Sequence, residues 1–402
     1  MFNPDFAAFD DNMFIQLRAH LQGLSVPADK AELNLTIGEP QLPAPDFVAQ
    51  TIAAHHDQWQ RYPKADGDAA FRDDVLGYIS RRFGAATAAI IDPDRHIVPV
   101  VGTREPLHLL GHMVRGVKDN AAALLPNPFY HAWRAGAIAT GGEIVFLNAT
   151  AETGYLPELD KLDDELLDRT VIFYCCAPTN PHGFLASQAY YERLIRLAQK
   201  HNFLLLSDEC YIDIWRGSPP LSALQVASQI EDGLSHLIVL NSLSKRSNAA
   251  GLRAGFLCGA PDAISLYKKL VANGAALLPT PLLRAAGALY RDDHHNEVNR
   301  AHYQKSFEIA KQHLGIDVPD AGFFIWLPVK DDLDFARAAY SEEGLRVMPG
   351  RFMGIDSADG NPGQNFVRIA LVHDHDIITQ AMIRLSRLYD RHRPTHQSQE
   401  TS

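Results

Sequence analysis

Five short segments carry side chains able to do chemistry, and each follows an apolar run. Ser242-Leu243-Ser244-Lys245 comes after a strand expected to end at Leu240, and Arg253 stands eight residues beyond the lysine. This places the lysine on a loop at a strand end, where α/β folds hold ligands. Two hydroxyls and a guanidinium at short range suit a phosphate. A lone loop lysine is ordinarily just solvated, but a lysine beside a bound phosphate suits an aldehyde-bearing cofactor. Ser207-Asp208-Glu209-Cys210-Tyr211 follows the run Phe203 to Leu206. Asp208 is either a surface cap or the partner of a ring nitrogen that it keeps protonated. Tyr211 would then donate to a ring oxygen, while Glu209 and Cys210 read as packing or hydrogen-bonding residues. Ala177-Pro178-Thr179-Asn180-Pro181 is a rigid turn that would also hold the Asn180 amide against that oxygen. Gly102-Thr103-Arg104-Glu105 reads as a strand–helix turn with Thr103 as N-cap. Free backbone N–H groups at such a helix start can hold a phosphate, and Gly102 would let the backbone come close. In Asn127-Pro128-Phe129-Tyr130, Tyr130 is either core or a platform stacked on a flat heteroaromatic ring.

The segments that position these groups alternate in period. Phe71, Val75, Tyr78, Ile79 and Phe83 fall at helical spacing, as do residues from Leu107 to Val114 and from Ser187 to Lys200. Between them lie short apolar runs at Ile97 to Val101, Ala121 to Leu125, Ile144 to Leu147, Val171 to Tyr174, Phe203 to Leu206, Leu237 to Leu240 and Gly255 to Cys258. Apolar strands separated by helices predict an α/β fold with a mostly parallel sheet covered on both faces. After Pro281 come long helices to about Gly315, then strands at Phe323 to Leu327, Leu345 to Met348 and Phe366 to Leu371, and a last helix from about Asp374 to Tyr389. We therefore expect a large domain at 45–290, a smaller α/β domain from 1–44 with 291–392, and a disordered tail at 393–402.

Composition narrows the function. The 402 residues carry a formal charge of −11, which repels nucleic acid. No apolar run of about eighteen residues, the length that spans a bilayer, occurs. Met1-Phe2-Asn3-Pro4-Asp5 lacks the pattern of a secretory signal. Four cysteines are no disulfide framework, and the adjacent Cys175 and Cys176 should point to opposite faces of a strand, as small core residues in a reducing cytoplasm. The histidines at His55-His56, His294-His295 and His373-Asp374-His375 lack a metal-ligand spacing, so no metal site is expected.

Taken together, these motifs resemble the fold-type I pyridoxal-phosphate aminotransferases of class I and II. The resemblance runs from Leu35-Thr36-Ile37-Gly38-Glu39-Pro40 to Phe366-Val367-Arg368-Ile369-Ala370. It implies that Lys245 binds the cofactor covalently, Asp208 partners the pyridine nitrogen, Asn180 and Tyr211 meet the ring oxygen, and Tyr130 stacks on the ring. It implies a phosphate cradle of Gly102, Thr103, Arg104, Ser242 and Arg253, with Ser244 also cofactor-binding and Tyr62 reaching the phosphate of a neighbouring subunit in a homodimer with shared sites. Arg368, with Gly38 close by, is implied to clamp the substrate α-carboxylate. Ser244-Lys245-Arg246-Ser247-Asn248, Tyr62-Pro63-Lys64 and Asn361 to Arg368 are further similar to bacterial succinyldiaminopimelate transaminases. That similarity implies amino transfer between glutamate or 2-oxoglutarate and N-succinyl-LL-2,6-diaminopimelate. An aspartate-type or broad-range aminotransferase, or a lyase on the same scaffold, is the alternative. His182 stands where the family usually has threonine. Arg351 and Arg104 are candidates for a second substrate carboxylate, a salt bridge being the alternative for Arg351.

Overall fold

The computed structural model describes residue 9 and residues 12–394. A short strand, β1 (Leu33–Asn34), precedes seven strands that form one sheet. These are β2 (Ile97–Val100), β3 (Ala122–Asn127), β4 (Glu143–Asn148), β5 (Thr170–Cys176), β6 (Leu204–Asp208), β7 (Leu237–Ser242) and β8 (Gly255–Gly259). Their order is β2-β8-β7-β6-β5-β3-β4. The five strands from β7 to β4 run parallel, and only β8 is antiparallel to its neighbours β7 and β2.

Side chains alternate across this sheet, so both faces bury apolar residues. On β5, Phe173 and Cys175 join one core, while Ile172, Tyr174 and Cys176 join the other. The adjacent cysteines thus face opposite ways, as expected of consecutive strand residues. Helices Ala69–Phe83 and Gln188–His201 cover the first face; Arg104–Met113, His131–Thr140 and Pro261–Gly274 cover the second. Local chemistry sets their ends. Ser187 Oγ accepts the Tyr190 N–H to start one helix, and Asn202 stops it in the left-handed conformation.

A second, smaller sheet joins β11 (Met348–Pro349), β12 (Phe366–Ala370) and β9 (Phe324–Pro328), all antiparallel. Helices Asp332–Glu343 and His375–His392 and the end of His294–Leu314 close a separate core over it. The run read as one strand from Leu345 to Met348 is two. β10 (Leu345–Arg346) pairs in parallel with β1, and β11 pairs with β12. The chain changes partner at the buried Val347, which apolar patterning alone does not reveal. Of the expected tail, Arg393 is held in place by bonding the Leu314 carbonyl at 2.9 Å, and residues from 395 on lie outside those described.

Candidate active site

The carboxyl ends of β5, β6 and β7 open onto a cavity of about 550 Å³. Every expected site residue lines it except Gly102, Tyr62 and the carboxylate candidate Arg351.

Ser242 is the last residue of β7, and the segment after it is a one-turn helix, Leu243–Arg246, rather than the expected loop. The cause is local: Ser242 Oγ accepts the Ser244 N–H at 3.2 Å, and Leu243 is fully buried. This turn aims Lys245 into the cavity, where Nζ donates to the Gly38 carbonyl. Burial pulls the lysine down to about 8, helped by Arg368 and Arg253 and opposed by Cys210 and Glu39.

Asp208 ends β6 and is buried. Trp133 Nε1–H donates to its Oδ2 at 3.0 Å, and the Cys210 backbone N–H to its Oδ1 at 3.3 Å. Burial raises this carboxyl, while those donors and the Lys245 charge lower it. Tyr211 packs edge-on against Phe323 and Phe324, and burial pushes its phenol well up, so it stays a donor.

Arg368 projects from β12, almost fully buried. Nη1 donates to Asn180 Oδ1 at 3.1 Å, Nη2 to the Thr36 carbonyl at 2.8 Å, and the guanidinium lies over the Phe324 ring at 4.4 Å. Among the described residues it has no carboxylate partner and its Nε has no acceptor. A buried guanidinium left in that state calls for an anion. Arg368 also takes the acceptor end of the Asn180 amide, leaving the donor end for a ligand oxygen. Gly38 allows the close approach here, because a Cβ would overlap the Phe324 ring.

At the opposite end, Gly102 has φ +66°, and a Cβ there would overlap the Arg253 guanidinium. Thr103 is not the side-chain cap expected of it. Its backbone is already helical (φ −86°, ψ −15°), whereas capping needs an extended residue, and Oγ1 lies 3.4 Å from Cys210 Sγ. Arg104 is exposed, with Nε donating to the Tyr130 hydroxyl at 3.4 Å. Tyr62 is fully exposed and far from contributing to this chain's own cavity. Arg351 is not a cavity residue; Nε and Nη2 grip Asp332 at 2.8 and 2.6 Å, and Nη2 reaches Asp331 at 3.0 Å. Glu209, as expected, is a bonding residue: Oε1 accepts from Ser207 Oγ and the Ala223 N–H.

Several lining residues escaped the motifs. Trp133 stands three residues after Tyr130 on a helix, so their shared face was the available signal. His131, driven down to about 4 by burial, Arg104 and Arg368, is a neutral ring there. Met13 and Phe14 come from helix Met13–His20, with no nearby motif to flag them.

A pyridine aldehyde bearing a phosphate fits this set. Lys245 offers a half-buried amine of lowered basicity. Asp208 holds N–H donors but no ion-pair partner among the described residues, so a protonated ring nitrogen would balance it. The missing Cβ at Gly102 lets the Arg253 guanidinium, a phosphate-binding group, lie against the backbone there.

Comparison with known proteins agrees. The aminotransferase class I and II family matches residues 30–385. An LL-diaminopimelate aminotransferase from Nitratidesulfovibrio vulgaris is 28% identical over 374 residues, 89% of this chain and 91% of that protein. The crystal structure of an aminotransferase from Neisseria meningitidis superposes with a TM-score of 0.88 at 34% identity, covering 94% of this chain and 97% of that one. A probable N-succinyldiaminopimelate aminotransferase from Thermus thermophilus shares the fold, with a TM-score of 0.78 at 22% identity over 94% and 100% of the two chains. Because the family match spans the segments from Gly38 to Arg368 that build the cavity, the chain belongs to the class I and II aminotransferases, enzymes that work with pyridoxal phosphate.

Proposed function

We propose that this aminotransferase exchanges an amino group between glutamate or 2-oxoglutarate and a substrate with the diaminopimelate skeleton in lysine biosynthesis, N-succinyl-LL-2,6-diaminopimelate first. The observation that carries the reading is a pair of arginines with no carboxylate partner among the described residues. Arg368 is buried on the cavity wall, and Arg104 stands at its exposed side, its Nε donating to the Tyr130 hydroxyl. An amino acid with a carboxylate at each end satisfies both. Free LL-diaminopimelate is a second reading, favoured by the relatives that bear that name and by Glu39, a cavity acid able to meet a distal ammonium.

Bound pyridoxal phosphate supplies an electrophilic aldehyde and an electron-withdrawing ring. The protein's own groups do the rest. Arg368 fixes the α-carboxylate and Asn180 fixes Arg368, which together set the direction of the Cα–H bond. Lys245 Nζ, with its basicity lowered to about 8, takes the proton from the donor Cα and, in the return half-reaction, delivers one to the acceptor Cα. Asp208, held by Trp133 and Cys210, keeps negative charge at the ring-nitrogen end. Thr103, Ser242, Ser244 and Arg253 would hold the phosphate, Tyr130 would stack on the ring, and Tyr211 would donate to its oxygen. We assign Tyr62 to the cavity of a partner subunit in a homodimer, a role supported by its full exposure beside the half-exposed Trp59.

The test is the absorbance of the holoenzyme as amino donors are added singly. Bleaching of the cofactor band by glutamate and by N-succinyl-LL-2,6-diaminopimelate, reversed by a keto acid, is the expected result. Bleaching by free LL-diaminopimelate instead moves the assignment to the second reading. A response only to aspartate or alanine removes both.

A further inference from the structure

Helix Arg104–Met113 carries a pair of polar side chains that amino transfer leaves unused. His108 and His112 stand one turn apart on the same face, with rings edge to face and centroids 4.8 Å apart. Their Nε2 atoms are 3.2 Å from each other. His108 Nδ1 lies 3.2 Å from the Ala135 carbonyl on helix His131–Thr140. A carbonyl only accepts, so Nδ1 carries the hydrogen and the His108 Nε2 lone pair is directed at His112. In the metal-free protein, the Nε2–H of His112 fills the space between them.

A divalent ion can displace that proton and bind to one side of the line between the two nitrogens, with the exposed His112 ring turning to face it. With metal–nitrogen bonds of about 2.0–2.1 Å, a 3.2 Å separation gives an N–metal–N angle of about 100°, near tetrahedral. The bond from His108 Nδ1 to a backbone carbonyl is also how ligating histidines are commonly oriented. We propose that His108 and His112 form a two-ligand site for a borderline divalent cation of the Zn²⁺ or Ni²⁺ kind, completed by water. Among the described residues no group of three or more His, Cys, Asp or Glu side chains is placed to hold a metal, so affinity is that of a chelating pair, well below a structural zinc site. His108 shares a groove of about 760 Å³ with Arg104, His131 and Arg253, which puts the ion one helical turn from the edge of the active site. The stacked pair His302 and His375, with centroids 4.2 Å apart, contrasts with it, because each Nε2 there is spent on a backbone carbonyl.

The test uses untagged holoenzyme, stripped with chelator and free of amino acids, in equilibrium dialysis against NiCl₂ or ZnCl₂ near neutral pH. One ion per chain is expected. His112→Ala and His108→Ala should each weaken binding at least about tenfold, the lower end of the loss seen even for outer-shell partners. His112→Gln, which keeps a hydrogen-bonding group at an exposed position, should lose the ion while circular dichroism and cofactor absorbance stay unchanged. No binding at millimolar metal, or binding undiminished in His112→Gln, overturns the site.

Discussion

The floor and the mouth of the cavity are built differently. The floor is Asp208, Tyr211 and Lys245, at the ends of adjacent parallel strands, the first two buried and the lysine half-buried, tied by Trp133, Cys210 and the Gly38 carbonyl. The mouth is Phe14, Ile37, Glu39 and Arg104, drawn from distant segments and partly or wholly exposed. Burial gives each floor group a shifted proton affinity and few alternative positions, so its chemistry is over-determined. Exposed mouth residues contribute through screened charge, and their effect depends on what enters.

Substitutions can break or sharpen this contrast. Lys245→Ala should lower turnover by about 10⁴-fold or more while cofactor still binds reversibly. In the wild type the amine must be neutral to react. Cofactor reattachment to the apoenzyme should therefore accelerate about tenfold per pH unit and level off above about 8, with no such step in the variant. Stopped-flow absorbance measures both, and a rate flat from pH 6 to 8 refutes the lowered basicity. Trp133→Phe leaves Asp208 Oδ2 without its side-chain donor at a cost of about 1–2 kcal/mol, roughly tenfold in kcat. KM for the donor should hardly move, and the pH at which the cofactor band changes colour should shift. If only thermal stability falls, Trp133 is packing alone. Glu39→Gln should act least, weakening free LL-diaminopimelate about two- to fivefold and sparing the succinylated substrate. Equal effects on both would make Glu39 a general component of the mouth.

The same contrast explains what the sequence made legible. Strand-end motifs such as Ser207 to Tyr211 and Ser242 to Lys245 are contiguous, so residue order displays the floor almost complete, and the strand–helix alternation displays the large sheet. The partner change at Val347, the helical backbone of Thr103 and the indole bond to Asp208 depend on contacts remote in sequence. Arg351 and Arg368 illustrate the limit. Both are arginines near the end of the chain, yet one is neutralised by Asp331 and Asp332 and the other has no carboxylate partner among the described residues. Residue type alone does not separate them.

The parallel pairing of β1 with β10 governs when the enzyme can be completed during synthesis. Leu33 and Asn34 find their partners at Leu345 and Arg346, and the Leu35 carbonyl waits for the Ala370 N–H. At a ribosomal rate of about 5–20 residues per second, the early segment stays unpaired for roughly 15–60 s. The large sheet, whose strands end at Gly259, can form in that interval. Arg368 leaves the ribosome after every strand of the large sheet, so the buried guanidinium of the cavity wall is made only once the strand ends that carry Asp208 and Ser242 already exist.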